Sequence, residues 1–283
     1  MKSLLKYCSL SLALLLAVSC GSRKNISSDQ KFYNTLKGLD NREIRTDSLR
    51  RFIEKDMALF KIPAISIAVI NDGKIIFADN IGVKNQVTKE KVNQYSIFEA
   101  CSLSKPVFAY FVMKQVQKGA IDLDKPLYQY YKEENIEWGE NYKSLTVRMI
   151  LCHASGFPNW REHANEKLKF LFPPGTRYGY SGEGYQYLAR VLMHILKTDD
   201  TGLNALFQKE VVKPLRVQSM NFIWNEELSK IKVYSHSKGL PTDNGSQGPA
   251  DWFGCAGSLH TNAGDYAKLL VKLLDNSRLS NSH

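Results

Sequence analysis

The stretch "EACSLSKPVFAYFVM" (Glu99–Met113) places a serine three positions before a lysine, at the start of an apolar, helix-like run. Because positions i and i+3 lie on one face of a helix, Lys105 would sit beside Ser102. Pro106 is tolerated only in the first turn of a helix, which places Ser102 near a helix N-terminus. There the helix dipole and the unpaired backbone N–H groups stabilise developing negative charge.

Ser102 and Lys105 admit two interpretations. A serine hydroxyl becomes a strong nucleophile only when a neighbouring base takes its proton, and Lys105 could assist that transfer. Alternatively, Ser102 is a helix cap that bonds N–H groups of the first turn, and Lys105 is a solvated surface residue. The string alone does not decide between an enzyme and a plain helix start.

Composition limits the class of protein. The 283 residues are 43% hydrophobic and 23% charged, an ordinary globular balance that suits one large domain or two small ones. The net charge is +10, yet no basic stripe is interleaved with aromatic residues, which argues against nucleic-acid binding.

The cysteines predict neither a disulfide framework nor a metal site. Cys101, Cys152 and Cys255 follow the N-terminal segment, and an odd number leaves at least one thiol unpaired. With His153 or His260 they lack the paired close spacing of zinc sites, so we expect no metal and no cofactor. They are predicted to be small buried side chains.

The N-terminus predicts export. A basic start and the short apolar run "LSLALLLAV" (Leu10–Val18) indicate a signal peptide over residues 1–19 rather than a membrane-spanning helix. The sequence "AVSC" resembles a bacterial lipobox, which would make Cys20 the lipidated first residue of a protein anchored to the membrane in the cell envelope. A plain secretory signal, cut nearby, is the alternative.

After the signal peptide the chain divides into a tether and a domain. Residues 20–45 are polar without a clear period, which suits a tether. From Thr46 the spacing of apolar residues predicts a helix, and Ala64–Val83 predicts a β-hairpin around Asp72-Gly73. A helix-rich insertion and a last helix over 263–274 follow, so residues 46–283 are predicted to form an α+β domain with an antiparallel sheet packed by helices.

Four segments in order resemble the serine β-lactamase and penicillin-binding-protein superfamily, in its class C β-lactamase, D-Ala-D-Ala carboxypeptidase and esterase branch. The quoted segments are "SIFEACSLSKPVFAYFVMKQVQKGAIDLDKPL" (96–127), "LCHASGFPNWR" (151–161), "PPGTRYGYSGEGYQYLARVL" (173–192) and "GCAGSLHTNAGDYAKLL" (254–270). The resemblance implies a β-lactamase/transpeptidase-like fold. It also implies an acyl-enzyme reaction on an amide or ester, such as a β-lactam, a D-Ala-D-Ala peptide or a small ester.

The resemblance also assigns roles. Ser102 would be the acylated nucleophile, Lys105 its partner and Tyr180, in "YGYSG", the general base. A lysine ammonium beside a tyrosine favours the phenolate and lowers the phenol pKa from about 10, which is consistent with a general-base role for Tyr180. Without the "PPGTRYGYSG" context, Tyr180 would be interpreted as a packed loop aromatic.

The sequence departs from the family pattern in its second and third motifs. Tyr180-Ser181-Gly182 lacks the amide side chain that usually follows the tyrosine by two positions. His260-Thr261-Asn262 resembles the third motif but lies too early, so His260 is predicted to be a loop residue and Thr261 a helix cap. His153 is predicted to be a buried structural histidine.

These departures leave alternatives open. The family's C-terminal strands would follow the last helix, so the domain is expected to be C-terminally incomplete and the 283 residues to have low activity or none. Loss of one oxyanion-hole donor alone typically costs about 10²–10³ in rate. The alternatives are a non-catalytic cell-wall or ligand-binding derivative and a fragment of a longer hydrolase. The sequence does not rank the substrates or give the oligomeric state.

Overall fold

The computed structural model describes residues 34–38, 40–163, 165–243 and 251–275, which all belong to one compact unit of the chain. The helices are α1 (Thr46–Phe60), α2 (Ser104–Gln117), α3 (Glu140–Ser144), α4 (Val147–Leu151), α5 (Gly182–Leu196), α6 (Asp200–Phe207), α7 (Lys213–Leu215), α8 (Glu226–Ile231) and α9 (Ala263–Leu274). The strands are β1 (Thr35–Lys37), β2 (Glu43–Arg45), β3 (Ala64–Asn71), β4 (Lys74–Gly82), β5 (Phe98–Glu99), β6 (Ser235–Ser237), β7 (Leu240–Asp243) and β8 (His260–Thr261).

Side-chain hydrogen bonds cap the N-termini of helices α5 and α9. The Ser181 hydroxyl accepts from Gly184 N at the start of α5, and the Asn262 side chain accepts from Asp265 N at the start of α9. The predicted last helix over 263–274 is confirmed, but its cap is Asn262 rather than Thr261. Each such cap satisfies an N–H that the first helical turn leaves without a partner.

A large apolar core lies between the helices. Helix α2 contributes Val107, Phe108 and Phe111, each with 0% exposure, and Leu188 of α5 is equally buried. Full burial of one such side chain is worth about 1.5–3 kcal/mol relative to exposure in water. The face of α2 that carries these residues therefore fixes the helix, and with it the start of the helix where Ser102 lies.

The predicted hairpin is present. Strands β3 and β4 pair antiparallel from Ala64↔Gly82 to Asn71↔Lys74, with a register shift between Val69 and Ile70. Both turn residues have positive φ, 49° at Asp72 and 68° at Gly73, as a two-residue turn of this kind requires.

A second, shorter strand pair joins two segments that lie far apart in the sequence. Strand β5, directly before Ser102, pairs antiparallel with β8, so that Phe98 lies opposite Thr261 and Glu99 opposite His260. His260 is therefore a strand residue and not the predicted loop residue. The pairing of two residues 160 or more positions apart cannot be seen in local spacing, since both strands are only two residues long.

Two other segments contain short strand pairs that the sequence did not predict. Within the predicted tether, 20–45, the described part forms the antiparallel pair β1–β2, whereas residues 20–33 lie outside the described residues. The turn-rich stretch after Tyr234 contains the hairpin β6–β7. The predicted signal peptide and Cys20 also lie outside the described residues, and no helix in the described ranges is long and apolar enough to cross a bilayer.

Candidate active site

Ser102 and Lys105 lie side by side at the start of α2. Ser102 is exposed within a short 3₁₀ turn, Cys101–Leu103, whereas Lys105 in the first turn of α2 is only 4% exposed. The Lys105 Nζ donates to Ser102 Oγ at 3.3 Å. The N-cap of α2 is Leu103 and makes no side-chain capping bond, so Ser102 is not the cap and Lys105 is not a surface lysine.

A backbone carbonyl holds the other side of the Lys105 ammonium. Lys105 Nζ donates to Ala256 O at 2.8 Å, across a sequence separation of 151 residues. A buried ammonium needs such partners, because an unpaired donor in the interior costs free energy. The segment around Ala256 therefore aims Lys105 at Ser102.

Ser104 connects the same segment to the turn that carries Ser102. Its hydroxyl donates to Cys101 O at 2.5 Å and accepts from Leu259 N at 3.0 Å. Ala100 N also donates to Leu259 O at 2.8 Å. Cys101 has φ of 45°, a left-handed conformation that is unfavourable for a residue with a Cβ and that surrounding contacts must maintain. These bonds supply that support directly beside Ser102.

Tyr180 completes the group. Its side chain is 37% exposed, and the Lys105 Nζ lies 4.5 Å from the centre of its ring. Burial raises the pKa of Tyr180, but hydrogen bonding from Lys105 and Ser102, together with the lysine charge, outweighs burial and holds the pKa below its ordinary value. A phenol with a lowered pKa is a stronger candidate for proton transfer near neutral pH. Tyr180 is thus not the packed loop aromatic of the alternative interpretation.

The His153 ring packs against the Tyr180 ring. Its ring stacks on Tyr180 with centroids 4.4 Å apart, and its Nδ1 accepts from Ser181 N at 3.2 Å. Burial and the neighbouring Lys105 charge lower the pKa of His153. The ring is therefore neutral at pH 7, as its acceptor role requires, and the residue is half-buried rather than fully buried.

The three cysteines and His260 lie in different surroundings. Cys255 is fully buried, as predicted, but Cys101 and Cys152 are exposed, which corrects the prediction for those two. His260 is 2% exposed, and its Nδ1 lies 2.9 Å from Ser258 O. Within the described residues, no three His, Cys, Asp or Glu side chains are placed to hold a metal ion together.

A cleft adjoins the turn that carries Ser102. It measures about 430 Å³ and lies between β3 and α9, with Ala100 and Leu103 on its border. Its lining is mainly apolar, from Ala64, Ile65 and Leu270 among others. A cleft of this size fits the usual range for small-molecule sites.

The structure brings together the three residues that the sequence singled out, Ser102, Lys105 and Tyr180. Sequence reasoning missed the supports: the carbonyl of Ala256, the hydroxyl of Ser104 and the acceptor nitrogen of His153. A carbonyl acceptor leaves no signature in the sequence, because every residue has one. Ser104 carried a usable signal, a second small hydroxyl inside "SLSK".

Comparison with known proteins gives consistent results. A family model described as Beta-lactamase matches residues 49–283. The chain is 21% identical over 194 residues to Protein flp of Staphylococcus aureus strain MRSA252, covering 63% of this chain and 38% of that protein. The structure of an octameric penicillin-binding protein homologue from Pyrococcus abyssi aligns with a TM-score of 0.66 at 24% identity, over 83% of this chain and 58% of that chain.

A third relative has the same fold. The D-alanine carboxypeptidase AmpC from Burkholderia cenocepacia aligns with a TM-score of 0.65 at 19% identity, over 80% of this chain and 63% of that chain. The chain therefore spans less than two thirds of the length of each of these three proteins. At such identities, the two structural likenesses show a shared fold.

Proposed function

Because this chain belongs to the β-lactamase family and has its α+β, β-lactamase/transpeptidase-like fold, we propose that it is a serine hydrolase that works through an acyl-enzyme. The superfamily and fold predicted from the sequence are both confirmed. The single observation that supports the proposed chemistry is the group formed by Ser102 Oγ, Lys105 Nζ at 3.3 Å and the Tyr180 phenol with its lowered pKa.

In the proposed acylation step, the Tyr180 phenolate takes the proton of Ser102 Oγ as the oxygen attacks the carbonyl carbon of an amide or ester. The tetrahedral intermediate then collapses, the bond to the leaving group breaks, and Tyr180 returns the proton to that group. Ala256 O orients the Lys105 ammonium, and its charge beside Tyr180 favours the phenolate.

In the proposed deacylation step, Tyr180 takes a proton from water as the water oxygen attacks the ester carbonyl. The bond between the acyl carbon and Ser102 Oγ breaks, Tyr180 gives the proton it took from water to Ser102 Oγ, and a carboxylic acid leaves. Candidate substrates are a β-lactam, a D-Ala-D-Ala peptide and a small ester. The cleft of about 430 Å³ borders the turn that carries Ser102 through Ala100 and Leu103, while Ser102, Lys105 and Tyr180 are not among its lining residues.

A second candidate is a catalytically impaired or non-catalytic protein that binds a cell-wall component or another ligand. One observation favours it: among the described residues, β3 pairs with β4 alone, so the other edge of β3 next to the cleft has no strand beside it. An oxyanion donor supplied from that edge would be lacking, and a single such donor is worth about 10²–10³ in rate. Acylation and deacylation would then both be slow, because the donor stabilises the tetrahedral intermediate of each step.

The test is the intact mass of the purified chain after incubation with a reactive penicillin and with a fluorophosphonate. We expect an adduct of one equivalent that Ser102→Ala abolishes and Ser144→Ala, at an exposed serine in α3, leaves unchanged. An adduct that persists in Ser102→Ala would contradict the assignment of the nucleophile. With the penicillin, an adduct that forms and then decays indicates a hydrolase, whereas no adduct from the folded chain, or one that forms slowly and persists, indicates the second candidate.

We also propose that the chain is exported and anchored through a lipid on Cys20. The proposal is supported by the basic start, the apolar run and the "AVSC" sequence. Growth of a bacterial host expressing the chain with an alkyne-tagged fatty acid should label the wild type and leave Cys20→Ala unlabelled. Equal labelling of the two, or labelling of neither in a host that labels a control lipoprotein, would contradict the proposal.

A further inference from the structure

An indole fills the place where residue 182 would carry a side chain. A Cβ added to Gly182 would lie 2.5 Å from Cζ2 and 2.6 Å from Cη2 of Trp160, far inside van der Waals contact. Because Gly182 follows Tyr180 by two residues, its Cα lies at most about 7 Å from that of Tyr180. The aromatic ring of Trp160 therefore replaces the missing side chain at the edge of the candidate site.

Both sequence neighbours of Trp160 are tied to the start of α5. The carbonyl of Asn159 accepts from Gly182 N and from Glu183 N, each at 3.0 Å. Arg161 donates to Glu183 through Nε and Nη2, each at 2.8 Å, and the Glu183 carboxylate is only 7% exposed. A buried, two-point ion pair of this kind is among the more rigid contacts in proteins.

The ring so held is nevertheless open to solvent. Trp160 is 50% exposed, so about half of the side chain faces solvent while the ring atoms against Gly182 are covered. A rigid aromatic surface that is already in place contributes to binding with little ordering cost. A flat apolar group of a ligand would cover the exposed part of the ring, whereas a small polar group would gain nothing from it.

We infer that Trp160 is a specificity-determining residue of this chain. Its indole, seated on Gly182 two residues after Tyr180, selects substrates that carry a flat, apolar group next to the scissile carbonyl, such as an arylacetyl group. The inference rests on the proposed function, because it assigns a substrate class to the site of Ser102, Lys105 and Tyr180.

The test compares the rates at which benzyl- and methyl-substituted fluorophosphonates modify Ser102, followed by intact mass. Both probes react through the same step, so their rate ratio isolates the contact with the aryl group. We expect Trp160→Ala to lower the benzyl-to-methyl ratio about tenfold, since aromatic contacts are worth roughly one factor of ten. Trp138→Ala is the matched control, because this tryptophan is 48% exposed and its ring contacts are with Tyr128 and Tyr142.

A second pair of variants tests the seat of the ring. Gly182→Ala should displace the indole and lower the same ratio, whereas Gly139→Ala should not, because nothing lies within 4 Å of a Cβ there. An unchanged ratio in a folded Trp160→Ala, or an equal fall in Trp138→Ala, would overturn the inference. Should Gly182→Ala fail to fold, Trp160→Ala still decides, since it truncates a half-exposed side chain.

An equilibrium measurement separates this inference from the proposed function. N-phenylacetylglycine and N-acetylglycine need no nucleophile to bind, so their affinities can be compared by calorimetry on Ser102→Ala. Preference for the phenylacetyl compound that disappears in Ser102→Ala/Trp160→Ala supports the aromatic wall even if no probe acylates the wild type. No preference between the two compounds overturns the wall, and acylation of Ser102 in the wild type would leave the hydrolase proposal standing.

Discussion

The helical body and the hairpin region of this molecule are held together very differently. In the body, large side chains such as Phe108, Phe111 and Leu188 have 0% exposure. In the hairpin region, formed by β1, α1, β3 and β4, the buried cluster is small, and its members keep between 3% and 9% exposure. Its members are Leu36, Ile53, Met57, Phe77 and Ile81.

The difference shows where the candidate chemistry depends on rigidity. Ser102 and Lys105 start a helix packed on the large core, Tyr180 directly precedes a second such helix, and Ala256 O comes from the chain between them. The hairpin contributes only a wall of the neighbouring cleft. We therefore expect the body to set reactivity, while the hairpin affects stability and the shape of the cleft.

The largest effect should come from Lys105→Met. Loss of the ammonium removes the donor to Ser102 Oγ and the charge that lowers the pKa of Tyr180, so acylation by a fluorophosphonate should slow about 10²–10⁴-fold. Lys74→Met, at an exposed lysine of the hairpin, should leave the rate within a factor of two or so. Time-resolved intact mass measures both acylation rates. A comparable fall in rate in the two variants would contradict the expectation that the body, and not the hairpin, sets reactivity.

The next effect concerns pH. Since the pKa of Tyr180 lies below the ordinary value of about 10, the acylation rate should rise with pH through a midpoint below 10 and level off above it. Tyr180→Phe should remove this limb and reduce the rate about 10²-fold or more. Tyr178→Phe, at a 68% exposed tyrosine two positions earlier, should keep the limb. A limb that survives in Tyr180→Phe would show that another group is the base.

Core truncation should separate the two regions in stability. Phe111→Ala leaves a cavity in the large core and should lower the free energy of unfolding by about 3–5 kcal/mol. Phe77→Ala, in a small cluster at the edge of solvent, should cost about 2 kcal/mol, because water and neighbouring side chains can fill part of the space. Urea denaturation of both variants measures the difference, and equal costs would contradict it.

The smallest effect is at the helix starts. Ser181 caps α5 through its hydroxyl, so Ser181→Ala should cost about 1 kcal/mol of unfolding free energy. Arg45 occupies the same position of α1 but makes no capping bond, and Arg45→Ala should change stability by less than about 0.5 kcal/mol. Thermal denaturation of the pair reports the difference, and a larger loss at Arg45 would count against it.

Elements with a strong local signal were predictable from the sequence. The 3.6-residue spacing of apolar residues predicted α1 and α9, and Asp72-Gly73 predicted the β3–β4 turn, because each signal lies within the element it specifies. The strands β5 and β8 were not predicted, since two-residue strands form only when distant segments meet. The prediction that Thr261 caps α9 was wrong for a related reason. Thr261 belongs to strand β8, which pairs with β5, so the helix begins one residue later and Asn262 is its cap.

The sequence by itself determined the α+β class from local patterns and, through the resemblance of four segments to a known superfamily, the family and the three candidates Ser102, Lys105 and Tyr180. Only the tertiary structure decided that Lys105 is buried, that Ala256 O holds it and that His153 stacks beneath Tyr180. Only the tertiary structure showed that the Trp160 ring lies against Gly182. The physical reason is that backbone acceptors, burial and ring contacts arise when segments far apart in the chain pack together, and no local pattern encodes that packing.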